Sequence, residues 1–208
     1  MKRLAILGAS GHGKVVADCA EMCGWPEIVF FDDAWPGASQ NGHWPVSGDT
    51  DGLFASLTQF DGVLVAIGNN STRLDKLRML ERNNAPLVSV VHPAAVVSRY
   101  ADVGPGSVVF AGAVVNADSR IGMGAIVNTG ASIDHDCVLG NCVHVSPGAR
   151  LAGGVMVGEL GWIGIGAVVK QLVRIGDRTM VGAGAAVVKD VEDGKTVIGV
   201  PARSVDNQ

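Results

Sequence analysis

The sequence predicts a two-part fold: an α/β, Rossmann-like N-terminal domain followed by a left-handed parallel β-helix of hexapeptide repeats. Two observations carry this. From Val97 a six-residue register runs unbroken to Val181, with Val, Ile or Leu at all fifteen lead positions. Ahead of it, an apolar run enters the glycine loop Gly8-Ala9-Ser10-Gly11-His12-Gly13 and then a helical pattern.

The repeat is not accidental. Val, Ile and Leu fill about one position in four, so fifteen consecutive matches have a chance probability of about one in a billion. The fourth residue after each lead is also constrained. It is small at positions such as Ala101, Ser119 and Cys137, and only Val143, Val155 and Val173 are larger. One branched and one small inward residue per hexad is what a narrow triangular prism needs, with Gly often at the corners. Three hexads make a coil, so residues 97–186 predict about five coils. Open ends of such a stack expose strand edges, which the flanking sequence must cover.

In the first third, Arg3–Ala9, Glu27–Asp33, Gly62–Gly68 and Pro86–His92 read as strands, and Lys14–Gly24 and Ser71–Asn83 as helices. Asp33–Asp49, rich in Gly, Pro and Trp, reads as a loop. This alternation implies a small parallel sheet. The domain boundary falls near His92-Pro93, giving a domain over residues 1–92 and a β-helix with a C-terminal cap over 93–208.

Composition narrows the function classes. Net charge is −4 and charged residues make up 17%, with no basic run for nucleic acid. Cys19, Cys23, Cys137 and Cys142 form no CxxC pair and read as reduced, buried thiols rather than metal ligands. The apolar run after Met1-Lys2-Arg3 stops at Gly8, too short for a membrane span or signal segment, so a cytoplasmic enzyme is expected.

The glycine loop follows a strand and opens a helix, which presents backbone N–H groups to phosphate. Its spacing is G-x-x-G-x-G, not the dinucleotide spacing, and a tight structural turn explains it equally well. Asp32-Asp33 ends the second strand about 20 residues on, where a carboxylate can hold a hydroxyl or base edge. His12 can reach phosphate or simply fill the turn. Only His135 and His144 lie in the repeat. His135 follows lead Ile133 by two and should project near a corner, between Asp134 and Asp136. A neighbouring carboxylate raises imidazole basicity, and such a base can take a proton from an amine attacking a thioester. Taken alone, a His between two Asp residues is more often a solvated turn than a catalytic base. His43 and His92 read as structural, and Lys170, Lys189 and Arg203 as scattered surface cations.

Gly8–Gly13, Phe31-Asp32-Asp33, Ala66–Asn70, Asn128–Cys137, His144-Val145-Ser146 and Gly199-Val200-Pro201-Ala202, in this order, resemble the bacterial sugar acetyltransferases of the hexapeptide-repeat superfamily. The strongest likeness is to the UDP-4-amino-sugar N-acetyltransferases of bacillosamine synthesis; sialic acid O-acetyltransferases share the layout. The resemblance implies an acetyl-CoA-dependent N-acetyltransferase, acting without a metal as a homotrimer with active sites between neighbouring prisms. It implies His135 as general base, with Asp136 raising its basicity. His144, Gly153, Ile165 and Ala183 would bind acetyl-CoA, Gly153 through an oxyanion contact. Ser10, Gly11, His12, Asp32, Asp33 and Gly68 would hold a UDP-linked amino sugar, and Asn128 and Asp134 would lie near the acceptor. A GDP-amino sugar or an O-acetyl acceptor is the alternative. A zinc lyase on the same scaffold needs three histidines per metal, one more than the repeat holds. A non-catalytic scaffold would not need the Gly-His-Gly and His135 segments.

Overall fold

The computed structural model describes residues 2–205. The chain divides into two compact units, the first ending at Pro93 and the second beginning at Ala94.

In the first unit, β1 (Arg3–Leu7) pairs in parallel with β2 (Glu27–Phe31) on one side and β5 (Gly62–Val65) on the other. All three strands are buried almost throughout, as a parallel sheet covered on both faces requires. The order β2-β1-β5 reverses direction at β1, so a crevice opens at the carboxyl ends of β1 and β5. Helix α1 (Gly11–Met22) starts inside the glycine loop, three residues before the predicted Lys14. The loop glycines have different roles. A Cβ on Gly13 would collide with the Gly8 carbonyl, whereas Gly11 faces open space.

The segment read as a loop contains a short hairpin, β3 (Gln40–Asn41) with β4 (Trp44–Pro45), and leads to α2 (Thr50–Ser56), capped by Asp49. Helix α3 (Asn70–Arg82) starts under an Asn69 cap that accepts from Thr72 N. The predicted strand Pro86–His92 is broken. Leu87 makes only an isolated bridge to Val63 and Val90–Val91 forms β6, because Leu87 N turns back to Ala85 O.

The second unit is a parallel β-helix of two-residue strands from β7 (Val96–Val97) to β22 (Ala186–Val187), each pairing with the strand 18 residues away. Lead residues from Val109 to Val181 are buried, with the small residues four positions later beside them in one core. Three positions after each lead the backbone turns through positive φ, in every corner from Gly106 to Gly184. Glycine is the usual solution, but Asp136 occupies such a corner at φ 59, a conformation that Asp tolerates better than most residues.

The stack is one coil longer than the expected five. After Val187 the hexad register breaks, yet Val191 bridges Ile175 and β23 (Thr196–Ile198) pairs with β21 (Met180–Val181) to complete a sixth coil. Antiparallel β24 (Arg203–Val205) then covers the edge of β23, which blunts further strand addition. All four cysteines are free thiols; Cys23 is half-buried and the other three are buried.

Candidate active site

The corner after β13 (Ser132–Ile133) concentrates the polar groups. His135 Nδ1 lies 2.7 Å from Asp136 Oδ2. This hydrogen bond, with the Asp134 charge second, raises the imidazole pKa above its ordinary value. Both side chains are largely exposed. Asp134 Oδ1 accepts from His135 N at 2.9 Å and from Asn116 Nδ2 at 2.9 Å. These bonds hold its carboxyl below the usual range. Gly153 stands in the equivalent corner one coil on, directly under the ring. A Cβ there would lie 2.5 Å from His135 Nε2. With Nδ1 bound to Asp136, Nε2 is the nitrogen available for proton transfer. A shallow cleft of about 320 Å³ beside this corner is lined by Asn116, Ser132, Asp134, Arg150, Ala152 and Val168, among others.

His144 lies elsewhere on the prism, on strand β15 (His144–Val145). Its ring is buried, 4.1 Å from the Trp162 ring between centroids, and its Nε2 is 3.1 Å from Asn128 Nδ2. Asn128 Oδ1 accepts from Thr129 N, so the amide nitrogen points to His144 and Nε2 accepts. Ile165 and Ala183 occupy corners after β18 (Trp162–Ile163) and β21, in the same sheet as β15, and Ile165 is exposed. His135, Asp136 and Gly153 follow strands of the next sheet. The predicted residues of the β-helix thus form two groups on two successive edges of one prism. Trp162 was not anticipated, although it lies one 18-residue coil from His144.

In the first unit, Ser10, Asp32, Asp33 and Gly68 line a single cleft of about 280 Å³, together with Gly8, Thr72 and Lys76. Asp32 Oδ2 accepts from Ala9 N at 2.7 Å and Oδ1 from Ala34 N at 2.9 Å, fixing the glycine loop to the end of β2. Asp33 accepts from Thr50 Oγ1 at 2.6 Å and from Lys76 Nζ at 2.9 Å. The Thr50 hydroxyl and then the Lys76 ammonium hold its pKa at about 2. Sequence reasoning missed Thr72 and Lys76, whose i, i+4 spacing puts both on one face of α3. Helix α1 has no side-chain cap at Ser10. Gly11 and His12 do not line this cleft.

His12 instead sits where burial, and secondarily the Arg73 guanidinium, lower its pKa to about 4. The folded state therefore takes up a proton less readily than the unfolded chain between pH 6.5 and 4. Folding stability should be full above that window and fall as pH drops through it, by at most about 3 kcal/mol. Urea unfolding of the wild type and His12→Gln between pH 7 and pH 4 checks this (an assay range of about three units, spanning the window). The variant should lose distinctly less stability, and equal losses would contradict the assignment.

A larger open groove of about 480 Å³ lies at the end of the β-helix, lined by Lys189, Lys195 and Arg203 along with Asp190 and Glu192. Among the described residues no group of three His, Cys, Asp or Glu side chains could hold a metal ion, and no helix is long and apolar enough to cross a membrane.

Comparison with known proteins matches these features. The model of the PglD N-terminal domain matches residues 3–80. A UDP-N-acetylbacillosamine N-acetyltransferase of Bacillus subtilis (strain 168) is 36% identical over 111 residues, 52% of this chain; the match spans about half, 51%, of that protein's length. The acetyltransferase domain of PglB from Neisseria gonorrhoeae FA1090, solved with acetyl coenzyme A, is 45% identical with a TM-score of 0.94, covering 98% of this chain and 99% of that one. PerB from Caulobacter crescentus, solved with CoA and GDP-perosamine, is 41% identical with a TM-score of 0.94, covering 99% of this chain and 98% of that one. With identity at this level over essentially the whole of both solved chains, the chain belongs to the sugar acetyltransferases of the hexapeptide-repeat superfamily.

Proposed function

We propose that the chain transfers the acetyl group of acetyl-CoA to the amine of a nucleotide-linked amino sugar, with His135 as general base. The observation that carries this reading is the His135–Asp136 pair at 2.7 Å, with Nε2 turned away from the carboxylate and over Gly153. The amine nitrogen attacks the thioester carbonyl carbon and its proton passes to Nε2. The tetrahedral oxyanion meets the Gly153 N–H, which makes no hydrogen bond among the described residues. The C–S bond then breaks, and the imidazolium returns the proton to the CoA thiolate. His144, Ile165 and Ala183 hold the coenzyme, and Asn128 and Asp134 lie near the acceptor.

The nucleotide is held by the cleft of the first unit, through Ser10, Asp32, Asp33 and Gly68, with Lys76 as an added cation. The uncapped start of α1 favours a diphosphate there, and Gly11 and His12 belong to the same turn. A UDP-linked 4-amino sugar is the favoured acceptor, in line with the Bacillus relative. A GDP-linked amino sugar is the second reading, favoured by the full-length likeness to PerB in complex with GDP-perosamine. Turnover assays with UDP- and GDP-linked 4-amino sugars and acetyl-CoA decide between them. Failure with both would remove the acceptor class.

Asp32→Ala should raise the acceptor KM by about tenfold or more, the usual scale for a hydrogen bond involving a charged group. Acetyl-CoA affinity by calorimetry should stay within about twofold, because the coenzyme residues belong to the β-helix. A large loss of coenzyme affinity with an unchanged acceptor KM would show that the cleft holds the other ligand.

A homotrimer accounts for the separation of the two edge groups, since neighbouring prisms can present one edge each to a shared cleft. His135→Ala and His144→Ala subunits, unfolded together and refolded, should then regain activity that neither variant has alone. No recovery from the mixture would place each site within one chain.

A further inference from the structure

We infer that Ser119, sealed inside the prism, is the positioning residue that sets the geometry of the His135 corner; the inference rests on His135 being the base. Ser119 belongs to a column of inward residues on one edge: Ala101, Ser119, Cys137, Val155 and Val173. It alone in that column carries a hydroxyl. Its side chain is fully buried, so it cannot touch substrate. Ser119 Oγ donates to the Asp134 carbonyl at 2.6 Å and accepts from Cys137 N at 3.3 Å. Those two groups are the first carbonyl and the last N–H of the four-residue corner that carries His135 and Asp136.

The corner is thereby held from both sides. Outside, Asp134 Oδ1 takes the His135 N–H and the Asn116 amide. Along the stack, Asp136 N bonds to Ala117 O and Gly154 N to His135 O. The Asp134–His135 peptide is then bonded at both ends, its N–H to Asp134 Oδ1 outside the prism and its carbonyl to Ser119 Oγ inside. The next coil repeats the device in weaker form, with Cys137 Sγ to Ala152 O at 3.4 Å, at the corner that carries Gly153. The two corners with inward polar anchors on this edge are therefore the ones that meet at His135 Nε2.

Ser107 supplies an internal control. It is equally buried, and its Oγ makes the same bridge, to Gly122 O at 3.1 Å and from Ala125 N at 3.0 Å, at a corner with no site residue. A purely structural hydroxyl predicts equal consequences at Ser107 and Ser119.

The experiment compares Ser119→Ala, Ser107→Ala and His135→Ala in the full chain, with UDP- and GDP-linked 4-amino sugars and acetyl-CoA as substrates. Ser119→Ala and Ser107→Ala should lower the melting temperature alike. Only Ser119→Ala should lower kcat, by about tenfold, since small misplacement of a reacting group is costly, with both KM values within about twofold. Its acid limb in the pH–kcat profile should also move to lower pH, as the His135–Asp136 contact loosens. Ser119→Thr should restore kcat, because Thr179 fits an equivalent inward position, bonding Glu192 O. Equal kcat for the two alanine variants, or a Ser119→Thr as slow as Ser119→Ala, would overturn the inference while His135→Ala still reports the base. Full activity in His135→Ala would overturn both. If Ser119→Ala does not fold, Ser119→Cys replaces it, with the same contrast against Ser107→Ala expected at smaller amplitude.

Discussion

His135→Ala should lose at least ~10²-fold in kcat, the scale of a positioned general base, with its melting temperature unchanged. The ring is exposed and its removal opens no cavity. On the proposed mechanism, what disappears is the group whose lone pair takes the amine proton. Single-turnover kinetics with acetyl-CoA preloaded isolates the chemical step, and activity within a few-fold of wild type would assign the base elsewhere. Asp136→Asn separates charge from geometry. Asn tolerates the positive φ of this corner and still offers an oxygen to Nδ1, but an amide oxygen makes a weaker hydrogen bond to the imidazolium than the carboxylate, the first cause of its raised pKa, while the Asp134 charge remains. A general base works in its neutral form, so with His135 as the base the wild-type kcat should fall as pH drops through that raised pKa. In Asp136→Asn the fall should come at lower pH, with a lower plateau because a less basic ring accepts the proton less readily. The plateau loss should be smaller than that of His135→Ala. A fall at the same pH as in the wild type would mean that Asp136 does not act on the base.

The β-helix was legible because a prism admits almost nothing but branched residues at its leads, and that demand recurs every six residues. The same arithmetic failed at the end. Beyond Val187 the inward residues are Val191 and Val197, four and then six positions apart, so a fixed register stops one coil early. The α/β unit was legible in its elements but less so at their limits. Glycine is a poor helix former, so a helix beginning at Gly11 runs against local propensity. The chain accepts that cost because Gly13 must pack on the Gly8 carbonyl. Proline at 86 and the turn from Ala85 to Leu87 break a stretch whose apolar pattern reads as a strand.

Of the candidate site, residues close in sequence were readable and those brought together by stacking were not. His135 with Asp136 is a local pattern, and so is Asp32-Asp33 after the glycine loop. Trp162 beside His144 is a contact between coils, found only by adding 18 to a residue number once the coil length is known. Nothing in the local sequence marks Lys76 as a cleft residue. Its role in the cleft depends on α3 starting at Asn70 and turning that face towards Asp33. The inward Ser119 read as one more small core residue, because the repeat asks only for size there and is silent about the hydroxyl.

Gly153→Ala should lose about 10²-fold in kcat with little loss of stability, a combination unusual for a glycine in a tight corner. The backbone at Gly153 is not in the left-handed region, unlike that of its neighbour Gly154 at φ 68, so alanine is not strained there. The added methyl meets a side chain, not the main chain. The atoms in its way are His135 Nε2 at 2.5 Å and Cε1 at 2.6 Å, the far end of an exposed ring free to swing outward. Moving it by about 1 Å relieves the overlap but takes Nε2 off the line to the amine, and displacement of that size can lower rates by two orders of magnitude. The methyl also crowds the Gly153 N–H, the donor assigned to the oxyanion. Thermal unfolding of Gly153→Ala should therefore match wild type within a few degrees, roughly what a fraction of a kcal/mol shifts. Gly154→Ala provides the contrast, since it must adopt positive φ and overlap Leu172 Cδ2 at 2.7 Å, which destabilises the fold while its methyl meets Leu172 and not the His135 ring. If Gly153→Ala keeps full kcat, the ring does not work from the position it occupies over Gly153. If it melts as early as Gly154→Ala, the glycine is needed for the coil and not for the base.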